Sequence, residues 1–411
     1  MPDGPQTAFG EGPDDSQHRP ERRPLVCFAG DAATEEALRA GLSDGLRAEA
    51  EFRRADVTRA IAMLREMPTP WTVVVDVAGH PQPLAALDDL SHVVEPDVRV
   101  LVVGDREDVG FYRQLTRGLG VADYLYKPLT PAMVSEHFGP VLARRRFQAV
   151  PARGGKLLSV TGVRGGVGAS TIAANLAWYL AQVARRHTIA LDADLHRGTQ
   201  ALLLAAQSGP GLRNALEHPD RVDELFIERA ATEINERLHL LAAEEALTLP
   251  LAYAPQAADR LIALLRRRYN FIVADAPFQA DAVGRALLDL AQHRILVMEP
   301  TLACIRDALR LLQLPPGPGQ SQRPLLVLNR AGRKGALSQS RVAEALKLEP
   351  DVVIPDLPKA IEDAATLGEP AASGNGAFRS GIAQLARGAG GVGQAELASK
   401  GLFGWLGRRG R

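Results

Sequence analysis

The residues whose types and spacing can do chemistry begin in one run, Val160-Thr161-Gly162-Val163-Arg164-Gly165-Gly166-Val167-Gly168-Ala169-Ser170-Thr171. Hydrophobic residues from Lys156 to Val160 lead into it, and an amphipathic run from Ile172 to Ala181 leads out. That order reads as strand, glycine-rich loop, helix. Glycines let backbone N–H groups turn inward around phosphate oxygens, and the helix N-terminus adds the positive end of its dipole. The ordinary phosphate loop reads G-x-x-x-x-G-K-[ST]. Here Ser170 holds the place of the Mg²⁺-binding hydroxyl, but Ala169 stands where the lysine belongs and Val163 where the first glycine belongs. Taken alone, the run reads equally well as a glycine-rich turn that holds no nucleotide.

Further acidic and polar groups come at regular places. Thr188 to Asp194 is a strand ending in two carboxylates, Asp192 and Asp194. Tyr269 to Asp275 is an apolar strand capped by Asp275, the shape of a second acidic motif on the Mg²⁺ side. The strand from Arg294 to Met298 ends in Glu299, and that from Pro324 to Leu328 ends in Asn329 and Arg330. All these groups fall at C-terminal strand ends, where an open α/β sheet binds its ligand.

The elements that position them belong to a chain of 411 residues, enough for two or three domains at about 100–200 residues each. A hydrophobic share of 46% supports a packed core. Basic and acidic residues balance at 48 each, so no specific nucleic-acid binding is expected. Arg144 to Arg146 and Arg266 to Arg268 each close an amphipathic helix, where positive charge suits the dipole. Two cysteines, Cys27 and Cys304, in apolar surroundings suit a reducing compartment and exclude a disulfide framework. Without an apolar run of about 18 residues or an apolar leader, a cytoplasmic location is expected. The nine histidines are scattered, so no metal beyond Mg²⁺ is expected.

Residues 1–23, rich in Pro, Gly, Asp and Gln, read as a disordered tail. Strands and helices then alternate over residues 24–147. Strands are expected at Leu25–Ala29, Ala50–Arg53, Trp71–Asp76, Val98–Val103 and Ala122–Tyr126. Helices are expected at Glu35–Leu46, Val57–Arg65, Leu84–Val94, Phe111–Leu119 and Met133–Arg145. Five such units make a doubly wound parallel sheet. Residues 148–155 form a linker. A second α/β domain with its own doubly wound parallel sheet spans 156–387 and closes with helices at Ile361–Leu367 and Phe378–Leu385. Residues 388–411 are a flexible tail whose end places Leu402, Phe403, Trp405 and Leu406 on one helical face beside basic residues, a weak candidate for contact with a membrane surface. A sticky tail or a partner-docking peptide is an equal reading of it.

The first domain resembles the flavodoxin-type receiver of two-component signalling. Asp76 stands where receivers carry the phospho-accepting aspartate, Lys127-Pro128 matches the Lys-Pro pair, and Gly120 to Leu125 resembles the approach to it. The acidic pair that would hold Mg²⁺ is replaced by Ala29 and Gly30 with only Asp31 nearby, and the expected hydroxyl is Gly104. The site is therefore expected to be degenerate, with Asp76 paired to Lys127 in an interaction module.

The second domain resembles the deviant-Walker P-loop ATPases of the MinD/ParA class. The resemblance implies ATP and Mg²⁺ as cofactors, with Gly165, Gly166, Val167, Gly168, Ala169, Ser170 and Thr171 around the phosphates. It also implies Ser170, Asp192 and Asp275 on the metal side, Asp194 orienting the attacking water, and Asn329 with Arg330 toward the base. Arg164 stands at the signature lysine, which in that class reaches across a homodimer to the partner's nucleotide.

The receiver-like domain, the G-G-V-G-A-S-T loop, Asp194 to Thr199 and Asn214 to Leu225 narrow the match. The stretch from about 25 to 385 resembles the CpaE/TadZ family of tight-adherence (Flp) pilus assembly and localisation ATPases, and septum-site-determining proteins are also similar. The resemblance implies a nucleotide-gated dimer that marks a place for pilus or secretion machinery or for polar or septal proteins, peripheral on the inner membrane face or at a cell pole. Because Ala169 removes one phosphate cation, turnover is expected to be weak. The alternatives are a fully active ATPase cycling on membrane or nucleoid, and a nucleotide-free structural adaptor.

Overall fold

The computed structural model describes residues 22–91, 93–96, 98–143, 154–254, 256–278 and 282–390. The two tails, Arg144 to Arg146 and most of the linker lie outside the described residues, and so does the expected apolar face of Leu402, Phe403, Trp405 and Leu406.

The first domain is a five-stranded parallel sheet in the order β2-β1-β3-β4-β5. Its strands are β1 Leu25–Ala29, β2 Ala50–Arg54, β3 Thr72–Asp76, β4 Arg99–Gly104 and β5 Asp123–Tyr126. β1 and β3 are buried along their whole length, as runs such as Thr-Val-Val-Val require when helices cover both faces of a sheet. Helix starts are set by side-chain caps: Asp31 accepts from Thr34 N at 2.7 Å and Asp56 from Arg59 N at 2.8 Å. The helix expected over Glu35–Leu46 is two helices, Ala32–Gly41 and Asp44–Glu49. Gly41 ends the first where it packs against the segment Val134–Phe138: a Cβ there would meet Val134 Cβ at 2.5 Å. Ser43 then starts the next helix.

The second domain is an eight-stranded sheet in the order β13-β12-β11-β6-β10-β7-β9-β8. Its strands are β6 Lys156–Gly162, β7 Thr188–Asp192, β8 Thr232–Asn235, β9 Leu238–Leu241, β10 Phe271–Asp275, β11 His293–Met298, β12 Leu325–Ala331 and β13 Val352–Pro355. All pairs are parallel except β8 with β9 at one edge. Two apolar layers cover the sheet. One packs the helix Ala169–Gln182 with Leu302–Leu312 and Ala377–Gly388, and the other packs Ala257–Arg268 with Ala282–Leu290. Among the described residues no helix is long and apolar enough to cross a membrane.

The domains meet through the ends at which their strands begin. His187 Nε2 lies 3.1 Å from Thr69 Oγ1. Arg237 Nη2 donates to Arg65 O at 2.9 Å, and Asn270 Nδ2 donates to Val94 O at 2.8 Å. His187, Arg237 and Asn270 immediately precede β7, β9 and β10, and Thr69 and Val94 precede β3 and β4. The C-terminal strand ends of the two sheets therefore face away from each other.

Candidate functional site

The sheet register brings the acidic residues together. Asp275 pairs across the ladder with Asp192 on β7 and with Val160 on β6, whose continuation is the glycine-rich loop. The loop turns over Gly166 and Gly168, at φ +84° and +89°. Only glycine enters that region without strain. A Cβ on Gly168 would also stand 2.6 Å from Asn329 Nδ2. The helix starts at Ala169 with no side-chain cap. Among the described residues, the N–H groups from Gly165 to Thr171 have no protein acceptor. Such a row of free donors at a helix start is built for an anion.

The loop is braced from behind. Asn329 Nδ2 donates to Val167 O at 2.9 Å, and Arg330 Nη1 donates to Gly166 O at 3.0 Å while pairing with Glu299. Arg330 holds a left-handed backbone, φ +53°, unusual for a residue with a side chain. In this geometry both side chains expected toward a base hold loop carbonyls. Arg164 Nη1 lies 2.7 Å from Asp307 Oδ2, on the helix Leu302–Leu312 of its own chain.

The carboxylates differ in what they hold. Asp192, 1% exposed, accepts from Asp194 N at 3.2 Å through Oδ1 and from Gln200 N at 3.0 Å through Oδ2. Gly198 is required above it, because a Cβ there would collide with Asp192 Oδ2. Asp192 therefore ties down the loop 193–200, and the carboxylate facing Ser170 is Asp275, whose partners include the Ser170 hydroxyl. Asp194 Oδ1 caps its own turn, accepting from Arg197 N at 3.0 Å and His196 N at 3.3 Å. Burial, reinforced by the Asp275 and Asp194 charges and opposed by the two backbone donors, pushes the Asp192 carboxyl up to about 7. Burial raises Asp275 as well, against the pull of Ser170 and Gln200. Among the described residues no trio of His, Cys, Asp or Glu side chains is arranged to hold a metal by itself.

Another acidic cluster lies at the strand ends of the first domain, around Asp76 and Lys127. Lys127 Nζ is 2.6 Å from both Asp76 Oδ2 and Asp31 Oδ2. Asp76 also accepts from Gly30 N at 2.9 Å and Ala78 N at 3.0 Å. The Lys127 and Thr34 bonds hold the Asp31 carboxyl down at about 2. Sequence reasoning missed Asp307 and Gln200. Gln200 had no signal beyond its place six residues after Asp194, and Asp307 only its place on the helix after Glu299.

The profile of the family "Cellulose biosynthesis protein BcsQ" matches residues 155–331. A putative septum site-determining protein MinD of Guillardia theta is 30% identical over 182 residues, 42% of this chain and 63% of that protein. The matched stretch is thus under two thirds of that relative's length. The crystal structure of a ParA family ATPase from Chlorobium tepidum superposes with a TM-score of 0.51 over 56% of this chain and 96% of its own, at 21% identity. The second domain is thus similar in sequence to MinD proteins and in fold to a ParA family ATPase. Its sheet, glycine-rich turn and strand-end carboxylates form a P-loop NTPase fold. A crystal structure of the pilus assembly protein CpaE from Caulobacter crescentus aligns with 28% of this chain and 97% of its own, 29% identical, with a TM-score of 0.27.

Proposed function

We propose that the protein binds ATP with Mg²⁺, dimerises around it, and acts as a positioning scaffold for a pilus, secretion, polar or septal assembly, with slow hydrolysis. The observation that supports this reading best is the row of N–H donors from Gly165 to Thr171, without protein acceptors among the described residues, beside the half-buried Ser170 and the buried Asp275. Those donors suit phosphate oxygens, and Ser170 with Asp275 would hold the metal side. The ion, when bound, supplies charge neutralisation on the β- and γ-phosphates. Asp194 stands on the loop that Asp192 anchors, the place from which a water is oriented.

Ala169 offers no charge to the phosphates, and the chain's own arginines near the loop are engaged with Asp307 and Glu299. One cation is thus missing from the transferring phosphoryl, a contribution worth roughly 3–4 kcal/mol in comparable cases. Turnover is then slow and relies on the partner's Arg164. The ion pair to Asp307 must open for that reach, so dimerisation is coupled to nucleotide. The names of curated relatives, septum site-determining proteins, support positioning as the class of task.

Light scattering on the purified chain with and without ATP–Mg²⁺, with phosphate release then read on the same sample, tests this. A doubling of mass with ATP, lost in Arg164→Ala, together with little release, is expected. Steady release would replace the scaffold with a cycling ATPase, and an unchanged mass with no bound nucleotide would leave a structural adaptor.

A further inference from the structure

Gln200 is the first residue of the short helix Gln200–Leu203, at the end of the loop that begins at Asp192. It is 1% exposed, an uncommon place for a glutamine unless its amide is satisfied. Three elements converge on it. Its backbone N–H donates to Asp192 Oδ2 on β7 at 3.0 Å. Its side-chain Nε2 donates to Ser170 O, in the first turn of the phosphate-loop helix, and to Asp275 Oδ2 on β10, both at 3.0 Å. Two acceptors on one side fix which end of the amide is nitrogen. The other end, Oε1, is buried and has no hydrogen-bond partner among the described residues.

A buried acceptor without a donor costs roughly 1–3 kcal/mol. The groups that hold this amide are Ser170 and Asp275, the pair assigned above to the metal side. A divalent cation there keeps several waters, because Mg²⁺ dehydrates reluctantly and dedicated protein ligands are few. Those waters are donors. Resting on the nucleotide reading above, we propose that Gln200 is a positioning residue of the metal site. Nε2 aligns Asp275 and the Ser170 turn, and Oε1 accepts a hydrogen from a water in the cation's shell. The same residue carries the state of the metal to the loop holding Asp194, since its backbone and side chain belong to both.

The test separates metal from nucleotide. Binding of a fluorescent ATP analogue to the full chain is measured in EDTA and across a Mg²⁺ titration. Gln200→Met removes donors and acceptor at similar volume. It is expected to keep metal-free nucleotide affinity within about 2-fold and to raise the Mg²⁺ half-saturation roughly 10-fold, as loss of a metal's outer partners does. Gln200→Asn keeps an amide but draws it back by one methylene from Ser170 O and Asp275, and its half-saturation is also expected to rise. It serves also if the Met variant fails to fold, when an unchanged half-saturation in Gln200→Asn would overturn the proposal. Unchanged Mg²⁺ half-saturation in Gln200→Met, with nucleotide still bound, overturns the Gln200 assignment and leaves the nucleotide reading standing. No binding by the wild-type chain in either condition overturns the nucleotide reading itself.

Discussion

Both sheets end in a cluster of acidic side chains, and the two clusters are neutralised in opposite ways. In the first domain Lys127 sits between Asp31 and Asp76, and two backbone N–H groups also donate to Asp76. In the second, Asp192 and Asp275 face one another's charges and that of Asp194, with amides and a hydroxyl as partners, while Asp194 at the rim pairs with Arg197 at 3.5 Å. The first cluster is complete with what the chain provides. In the second, the two buried carboxylates, Asp192 and Asp275, have no cationic side chain among the described residues. The same strand-end placement thus yields a carboxylate paired with a lysine in one domain and buried carboxylates held by neutral partners in the other. A carboxylate in a familiar position becomes chemistry only where its counter-charge is left for a ligand to bring.

The comparison breaks hardest if the second cluster is given the cation that the loop lacks. Ala169→Lys is expected to raise phosphate release roughly 100-fold, the effect of restoring one charge-stabilising group to a transition state. An unchanged rate would mean that the missing cation is not what limits turnover. The reverse operation, Lys127→Ala, leaves Asp76 buried without its counter-charge. It is expected to destabilise the first domain by about 2 kcal/mol in urea unfolding, somewhat less than a fully buried pair because Lys127 is partly exposed. It should leave nucleotide binding untouched.

The smallest effect is in pH. In EDTA, Asp192 keeps its proton up to about 7 when folded but releases it near 4 when unfolded. The folded state binds more protons over that window. Its contribution is whole below about pH 4 and is lost as the pH rises toward about 7. Asp31, held down at about 2, works the other way: its contribution is present above about pH 4 and lost as the pH falls through about 2, and half exposure keeps it small. Urea midpoints at about pH 4.5 and 7.5 should show a slope that flattens in Asp192→Asn. A slope that persists in that variant would place its source elsewhere.

The two sheets were legible because their central strands are continuous apolar runs that end at a chemical residue. Val73 to Asp76 and Ile272 to Asp275 announce both the strand and the carboxylate that ends it. Three strands went unread, β8, β9 and β13. Each is four residues long and lies at or next to a sheet edge, and Thr-Glu-Ile-Asn carries no pattern that outweighs a loop. Within the site the types and spacing of Ser170, Asp192 and Asp275 were readable, but their division of labour was not. That Asp192 holds a loop while Asp275 meets Ser170 depends on Gly198 and Gln200, which approach from another turn of the chain. Asp307 and the seam at His187, Arg237 and Asn270 were hidden for the same reason: a polar residue before a strand or on a helix does not name its distant partner.

The seam has a consequence for distance. The domains are joined where their strands begin, so two strand lengths separate Asp76 from the phosphate loop, on the order of 30 Å for β3 and β10 laid in line. The proposed dimer, closed across the phosphate loops, would therefore carry its first domains outward at both ends, like the two heads of a bolt. Such a dimer would have a fixed span, with the phosphate loops at its middle and the first domains at its tips.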